Sequence, residues 1–131
     1  MSINDFLYSA IIGKEYLDIY GHVNHAHYLT ILENARWEYY HQKGIDQQKI
    51  IDDQIGPVVL KASITYKKEI TENEKVKIIS ENLGYVHGLW KLRQTILKED
   101  GRVSATVDFL FGLFSLIERK LIDPFGIWLE E

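Results

Sequence analysis

Cysteine is absent from the 131-residue chain. That excludes a disulfide framework, a thiolate nucleophile and any cysteine-based zinc site, and it fits a reducing compartment. Proline is scarce, with only Pro57 and Pro124, and no repeat or low-complexity linker interrupts the chain. Long apolar runs are missing too. The longest, Phe109 to Ile117, contains Gly112 and Ser115 and is far too short to span a bilayer. The opening residues MSINDFLYSA lack the basic start and apolar stretch of a signal peptide, so the expectation is a cytoplasmic protein with no membrane partner. A positive excess is lacking as well. The formal net charge of −4 provides no basic footprint for phosphates, so nucleic acid is not an expected partner. Lys61, Lys67, Lys68, Lys75 and Lys77 crowd one region and read as solvated strand edges and a turn.

What is present is a globular composition, 46% hydrophobic and 26% charged. The length predicts one domain, residues 1–131, with room for a genuine core. Phe6 to Lys14 reads as a first strand and Tyr16 to Asn24 as a loop given freedom by Gly21. With Asn24 as N-cap, Tyr28, Ile31, Leu32, Ala35 and Tyr39 fall on one stripe of a helix that reaches Gln42, with Gly44 as its stop. Trp37 and Tyr40 lie off the stripe, which predicts a helix in contact with protein on more than one side. Val23 and Tyr28 are placed to staple its start.

A short, helix-like link from Asp46 to Gln54 follows, and the period then changes to two. Val58, Leu60, Ala62, Ile64 and Tyr66 alternate with polar or outward positions. Further strands are predicted around Lys75 to Glu81, Trp90 to Ile96 and Arg102 to Ile117, with Asp100-Gly101 as a hairpin turn. The stretch FLFGLFSLI is apolar on both faces, as in a central strand or one at a subunit interface. Phe125, Ile127 or Trp128 is expected to dock the tail on the body. The order is α+β, an antiparallel sheet with one principal helix packed on it.

Between the first strand and that helix the stretch LDIYGHVNHAHY gathers Asp18, His22, Asn24, His25 and His27. Three readings compete. Asn24 is a good N-cap by itself. Asp18, His22, His25 and His27 are all acceptable zinc ligands, but on a helix His25 and His27 project about 200° apart and cannot face one ion. The third reading is catalytic. A helix N-terminus offers free N–H groups to a developing oxyanion, and Asp18 sits upstream where a carboxylate can face the same carbonyl. A thioester asks for little more, because its thiol leaving group has a pKa of about 8.5 and departs as thiolate. His27 and His41 read as solvated helix positions, and His87 as hairpin surface.

The pattern D-x-x-G-H-V-N-H-x-x-Y, formed by Asp18, Gly21, His22, Val23, Asn24, His25 and Tyr28, resembles the signature of hot-dog-fold thioesterases of the 4-hydroxybenzoyl-CoA thioesterase-like group. LTILENARWEYY is similar to that group's central helix, and the likeness extends in outline over nearly the whole chain. A second similarity is to acyl-carrier-protein thioesterases, whose active loop also carries Asp followed by His-Val-Asn. The resemblance implies a hot-dog fold: a five-stranded antiparallel sheet wrapped around one long central helix. It also implies homodimers or homotetramers with active sites where subunits meet.

By the same resemblance Asp18 is the catalytic carboxylate. The His25 backbone N–H polarises the thioester carbonyl, Gly21 permits the close turn, and His22 and Asn24 orient water or substrate. Tyr28 lines the pocket or belongs to the core stripe. The acyl-carrier-protein relatives carry Asn where this chain has Tyr20, so their fuller catalytic set does not transfer. Glu33 and Glu38 are the acids available on the helix, where other hot-dog thioesterases carry theirs, and Asp18 is preferred to both. The expected activity is hydrolysis of an acyl-CoA or acyl-carrier-protein thioester without cofactor or metal. Alternatives of another class are a non-catalytic acyl-thioester binding module and a hydratase acting on 2-enoyl thioesters. Lys61, Lys67, Arg93 and Arg102 are candidates for the CoA phosphates.

Overall fold

The computed structural model describes residues 5–124, so the expected docking of Phe125, Ile127 and Trp128 lies outside the described residues. The elements are β1 (Phe6–Ile11), α1 (His27–Gln42), α2 (Gln47–Asp53), β2 (Ile55–Tyr66), β3 (Lys75–Val86), β4 (Leu89–Leu97), β5 (Val103–Ser115) and β6 (Lys120–Ile122). All strand pairings are antiparallel, in the order β1-β3-β4-β5-β2, with β6 beside β5. The five-stranded path is the expected one, and β6 adds a sixth, short strand. It has a place because β4 ends opposite Phe111, which leaves the ladder positions of Leu113 to Ser115 free on that side. No helix among the described residues is long and apolar enough to cross a membrane.

The concave face of the sheet carries the core, and α1 lies in it. Tyr28, Ile31, Leu32 and Ala35 of α1 pack with Val76 and Ile78 of β3, Leu92 and Ile96 of β4, and Ala105, Val107 and Phe109 of β5. The predicted stripe is therefore the buried one over its first three turns. At the far end Tyr40 is buried, while Tyr39 is half-buried against Phe6, their ring centres 5.4 Å apart. Tyr40 also meets Trp37, one turn earlier on the same helix, edge-on at 5.7 Å.

Two local features depart from simple alternation. In β2 the register slips between Val59 and Lys61, so Leu60 is bulged. Val59, Ala62, Ile64 and Tyr66 then oppose Phe111, Phe109, Val107 and Ala105 on the concave side. Leu60 turns to the other face, where a Cβ on Gly112 would come within 3.2 Å of its Cδ1. The expected face shared by Leu60 and Ala62 is thus broken by one inserted residue. The β3–β4 hairpin closes on His87 and Gly88, both at positive φ (54° and 77°), the conformation a two-residue connection requires.

One polar residue sits at the centre of the core. Gln94 is 0% exposed, yet its amide is fully engaged. Its Nε2 donates to the Leu32 carbonyl (3.2 Å) and to Ser80 Oγ (3.0 Å), and its Oε1 accepts from Arg36 Nη1 at 3.0 Å. The Arg36 guanidinium also lies 4.6 Å from the Phe109 ring centre, and burial lowers its pKa below the ordinary value. Gln94 therefore ties α1 to β3 and β4 at once.

Replacing Gln94 by Leu removes three hydrogen bonds and takes the partner from the Arg36 guanidinium and the buried Ser80 hydroxyl. We predict a loss of about 2–4 kcal/mol in unfolding free energy, read from the urea midpoint; an unchanged midpoint would refute this account of the core. Burial pushes the Tyr40 phenol up to about 12. An acid whose folded pKa is raised favours the folded state below the unfolded pKa, about 10 for tyrosine, and that stability drains away as pH rises towards 12. Tyr40→Phe should accordingly flatten the fall in thermal midpoint between about pH 10 and 12, and an identical alkaline slope in both proteins would contradict it.

Candidate active site

The loop ahead of α1 is a tight, internally bonded turn. Leu17 and Val23 bridge across its neck, the Asp18 N–H donates to the His22 carbonyl (3.1 Å), and the Gly21 N–H donates to the Asp18 carbonyl (3.0 Å). Gly21 has φ of +78° with open space around its Cα, so its role is conformational. The tip, Ile19 and Tyr20, projects outward, and Ile19 is 95% exposed. Outside this turn the chain is stitched to its surroundings: Asn24 N–H to Tyr16 O (2.9 Å), Val23 N–H to Ile70 O (2.8 Å), and a bridge between His22 and Thr71.

Asp18 points inward from that turn, its side chain 21% exposed. Its Oδ1 accepts from the Tyr20 N–H at 2.9 Å and its Oδ2 from Asn24 Nδ2 at 3.4 Å. Asn24 does cap, but not at the predicted position. Its Oδ1 accepts from the Ala26 N–H (3.0 Å) and its carbonyl from the His27 N–H (2.9 Å). The regular helix begins at His27, with Ala26 in the N-cap position. Residues 24–26 therefore form a capped turn leading into α1, and among the described residues nothing accepts from the His25 N–H.

The opposite wall is the segment after β2, and every residue of it is held. Tyr66 donates its hydroxyl to the His25 carbonyl at 2.8 Å. The Lys67 and Lys68 N–H groups both reach the Ser104 carbonyl, and Ser104 Oγ donates to the Lys68 carbonyl at 2.6 Å. Glu69 Oε2 lies 3.1 Å from His22 Nδ1, and the other ring nitrogen, Nε2, lies 3.8 Å from Asp18 Oδ1. The three groups form a line, carboxylate to imidazole to carboxylate. Because the two acids face opposite sides of the ring, they cannot share one ion with it.

Asp18, His22, His25, Tyr28, Tyr66 and Glu69 border one cavity of about 360 Å³, with Lys67 and Lys68 on its rim. Tyr28 meets Tyr66 edge-on at 5.1 Å. Burial raises the Tyr28 phenol above its ordinary pKa, opposed by a hydrogen bond with the Ser104 hydroxyl. Tyr28 is thus both a core residue and part of the cavity wall, so its two expected roles coincide. Gly21 and Asn24 stand behind the cavity as supports.

The other expected residues go elsewhere. His27 packs edge-on against Tyr16 at 5.9 Å, His41 lies beside Trp37 near the far end of α1, and His87 sits on the hairpin. Glu33 and Glu38 are exposed on α1. Arg93 and Arg102 are engaged with Asp108 and Asp100. Sequence reasoning missed Tyr66 and Glu69. Both lie more than 40 residues from their hydrogen-bond partners His25 and His22, and the only local signal was the polar YKKE at the end of an apolar strand.

The cavity thus brings together an aspartate and a residue with an unclaimed backbone N–H, groups of the kind that handle a carbonyl. No curated protein matches by sequence. In structure the chain is similar to the DHNA-CoA thioesterase of Staphylococcus aureus, with a TM-score of 0.85 and 22% identity over 95% of this chain and 83% of that one. It is also similar to Slr0204, a 1,4-dihydroxy-2-naphthoyl-CoA thioesterase of Synechocystis, with a TM-score of 0.86 and 16% identity over 95% and 93%. YbaW, a probable thioesterase of Escherichia coli, gives 27% identity and a TM-score of 0.77 over 92% and 90%. The family model described as the thioesterase-like superfamily matches residues 12–125, and the chain belongs to that superfamily, with a hot-dog fold.

Proposed function

We propose that this chain is an acyl-CoA thioesterase, built as a single hot-dog domain, with Asp18 as base or nucleophile and the His25 N–H as oxyanion donor. One observation carries the reading: in a member of the thioesterase-like superfamily, one cavity is bordered by Asp18 and by His25, a residue whose backbone N–H has no acceptor among the described residues. The thioester carbonyl would enter with its oxygen towards residue 25, where the start of α1 presents a positive dipole end. As base, Asp18 takes a proton from water while the water oxygen adds to the carbonyl carbon. The C–S bond then breaks, the electron pair leaves with sulfur as thiolate, and the free acid is released. As nucleophile, Asp18 displaces the thiolate first, and water hydrolyses the resulting anhydride.

His22, held by Glu69, presents Nε2 towards the outer side of the Asp18 carboxylate, and Asn24 Nδ2 fixes the other oxygen. Both restrict the rotation of Asp18, which a near-attack geometry requires. The CoA preference draws support from relatives named as CoA thioesterases. Lys67 and Lys68 on the rim have no carboxylate partner among the described residues and are placed to meet an anionic part of the substrate. The reading includes a second copy of the chain. β2 is an edge strand with exposed Val59 and Leu60, and Ile19 protrudes beside Asp18, which are surfaces a partner subunit would cover.

Asp18→Asn keeps the side-chain shape and one of the two acceptor oxygens but removes the base. It should lower kcat by about 10²–10⁴ in a thiol-release assay across an acyl-CoA panel; undiminished turnover by the folded variant defeats the assignment, and tight acyl-CoA retention by wild type without thiol release would identify a binding module. The oxyanion donor is tested by a pair of variants. His25→Ala removes the imidazole but retains the N–H and should keep activity within a few-fold, whereas His25→Pro lacks the imidazole and the N–H alike, at a position ahead of the helix, and should cost about 10²–10³ in kcat. Equal activities for the two would show that the N–H at residue 25 does no catalytic work.

A further inference from the structure

Lys98 and Glu74 form an ion pair outside the cavity, Nζ to Oε1 3.3 Å, with side chains only 11% and 13% exposed. Lys98 follows the last residue of β4, and Glu74 precedes the first of β3. Glu74 is otherwise spent on the turns beside it: Oε1 accepts from the Thr71 N–H and Oε2 from the Glu99 N–H, both at 3.3 Å. A pair so far out of water contributes little net stability, because desolvation consumes the attraction. Its remaining contact is directional. Lys98 Nζ also donates to the backbone carbonyl of Glu69, the residue whose carboxylate meets His22 Nδ1.

That contact matters because the Glu69 side chain is 62% exposed. An exposed carboxylate on a connection between strands would wander unless its backbone were fixed. Two consecutive carbonyls of this connection are instead gripped by side chains from the two ends of the β4–β5 hairpin, Lys68 O by Ser104 Oγ and Glu69 O by Lys98 Nζ. We propose that Lys98, anchored by Glu74, is a positioning residue for the active site: it fixes the Glu69 backbone so that Glu69 orients His22 and presents its Nε2 to Asp18. The catalytic consequence rests on the thioesterase reading above, whereas the orientation of His22 does not.

The test uses the full chain. Lys98→Met alone leaves the largely buried Glu74 without its counter-charge and can unfold the protein, so the informative variant is Lys98→Met with Glu74→Gln, which removes both charges. In a thiol-release assay this double variant should lose about tenfold in kcat with KM changed less than about twofold, as expected for displaced rather than deleted groups. Lys98→Arg, which keeps a cation and donor, should recover most of that loss. In a Glu69→Gln background the same pair of substitutions should cost less than about twofold more, because the route through Glu69 is already cut. A folded double variant with undiminished kcat, or a loss that multiplies in full with that of Glu69→Gln, overturns the proposal.

Failure of the thioesterase reading shows separately, as a wild type that releases no thiol from any acyl-CoA. The same variants are then read by ring ¹⁵N NMR. The His22 resonances should move in the same direction in Glu69→Gln and in the Lys98→Met, Glu74→Gln variant. Unmoved His22 resonances in the latter overturn the positioning role.

Discussion

Leu32 and Ala35 are completely buried against β3, β4 and β5, and they lie within about two turns of the start of α1. Their packing therefore fixes the height and rotation of that start relative to the sheet. Everything in the cavity is referred to this seating. The 24–26 turn can meet the end of β2 only because α1 cannot slide along the concave face. Tyr66, on the strand edge, then meets the His25 carbonyl at 2.8 Å. Apolar burial is strong but non-directional, so a second kind of interaction is needed to set the angle.

Directional bonds supply it at two levels. Deep in the core, Gln94 reads the helix backbone at Leu32 and a helix side chain at Arg36, which a leucine of similar size could not distinguish from a neighbouring register. Nearer the surface, Ser104, 0% exposed, holds the 67–68 backbone with both its carbonyl and its hydroxyl. A satisfied buried polar group adds little stability but excludes alternatives that would leave it unsatisfied. These two residues lie on strands adjacent in the sheet, so helix and connecting segment are both measured from the same rigid surface. A site shared between them inherits that rigidity.

This division also explains what the amino-acid sequence disclosed. The helix stripe from Tyr28 to Ala35 was legible because a 3.6-residue period survives any detail of packing. Asp18, Gly21 and Asn24 were legible as a group because their contacts are local, made within seven residues. The bulge at Leu60 was not, since one inserted residue leaves the same apolar letters in the same order. β6 is three residues long, too short for any period to register. The N-cap was placed two residues early, because Asn24 has the right chemistry and only the geometry of Ala26 shows that a turn intervenes. Glu69 was missed for a different reason. Its partner His22 is 47 positions away, and no local pattern reports which end of a strand comes to rest beside which loop.

The helix start itself shows what a site of this kind gives up. Asn24 satisfies the Ala26 and His27 N–H groups but leaves that of His25 without an acceptor among the described residues. An unmade hydrogen bond of this type forgoes about 1 kcal/mol relative to a fully satisfied terminus. Water recovers part of that in the free protein, since the cavity is open. On the proposed reading the same donor is already aimed when a carbonyl displaces that water, so no reorganisation is needed as charge builds on oxygen. The stabilisation withheld from the fold at residue 25 is thus available to the reaction. A cap that bonded this N–H to Asp18 directly would make a better helix and a worse site, because the carboxylate and the donor would neutralise each other. Asp18 is held instead by the Tyr20 N–H and Asn24 Nδ2, which on the proposed reading leaves carboxylate and donor each available to a substrate carbonyl.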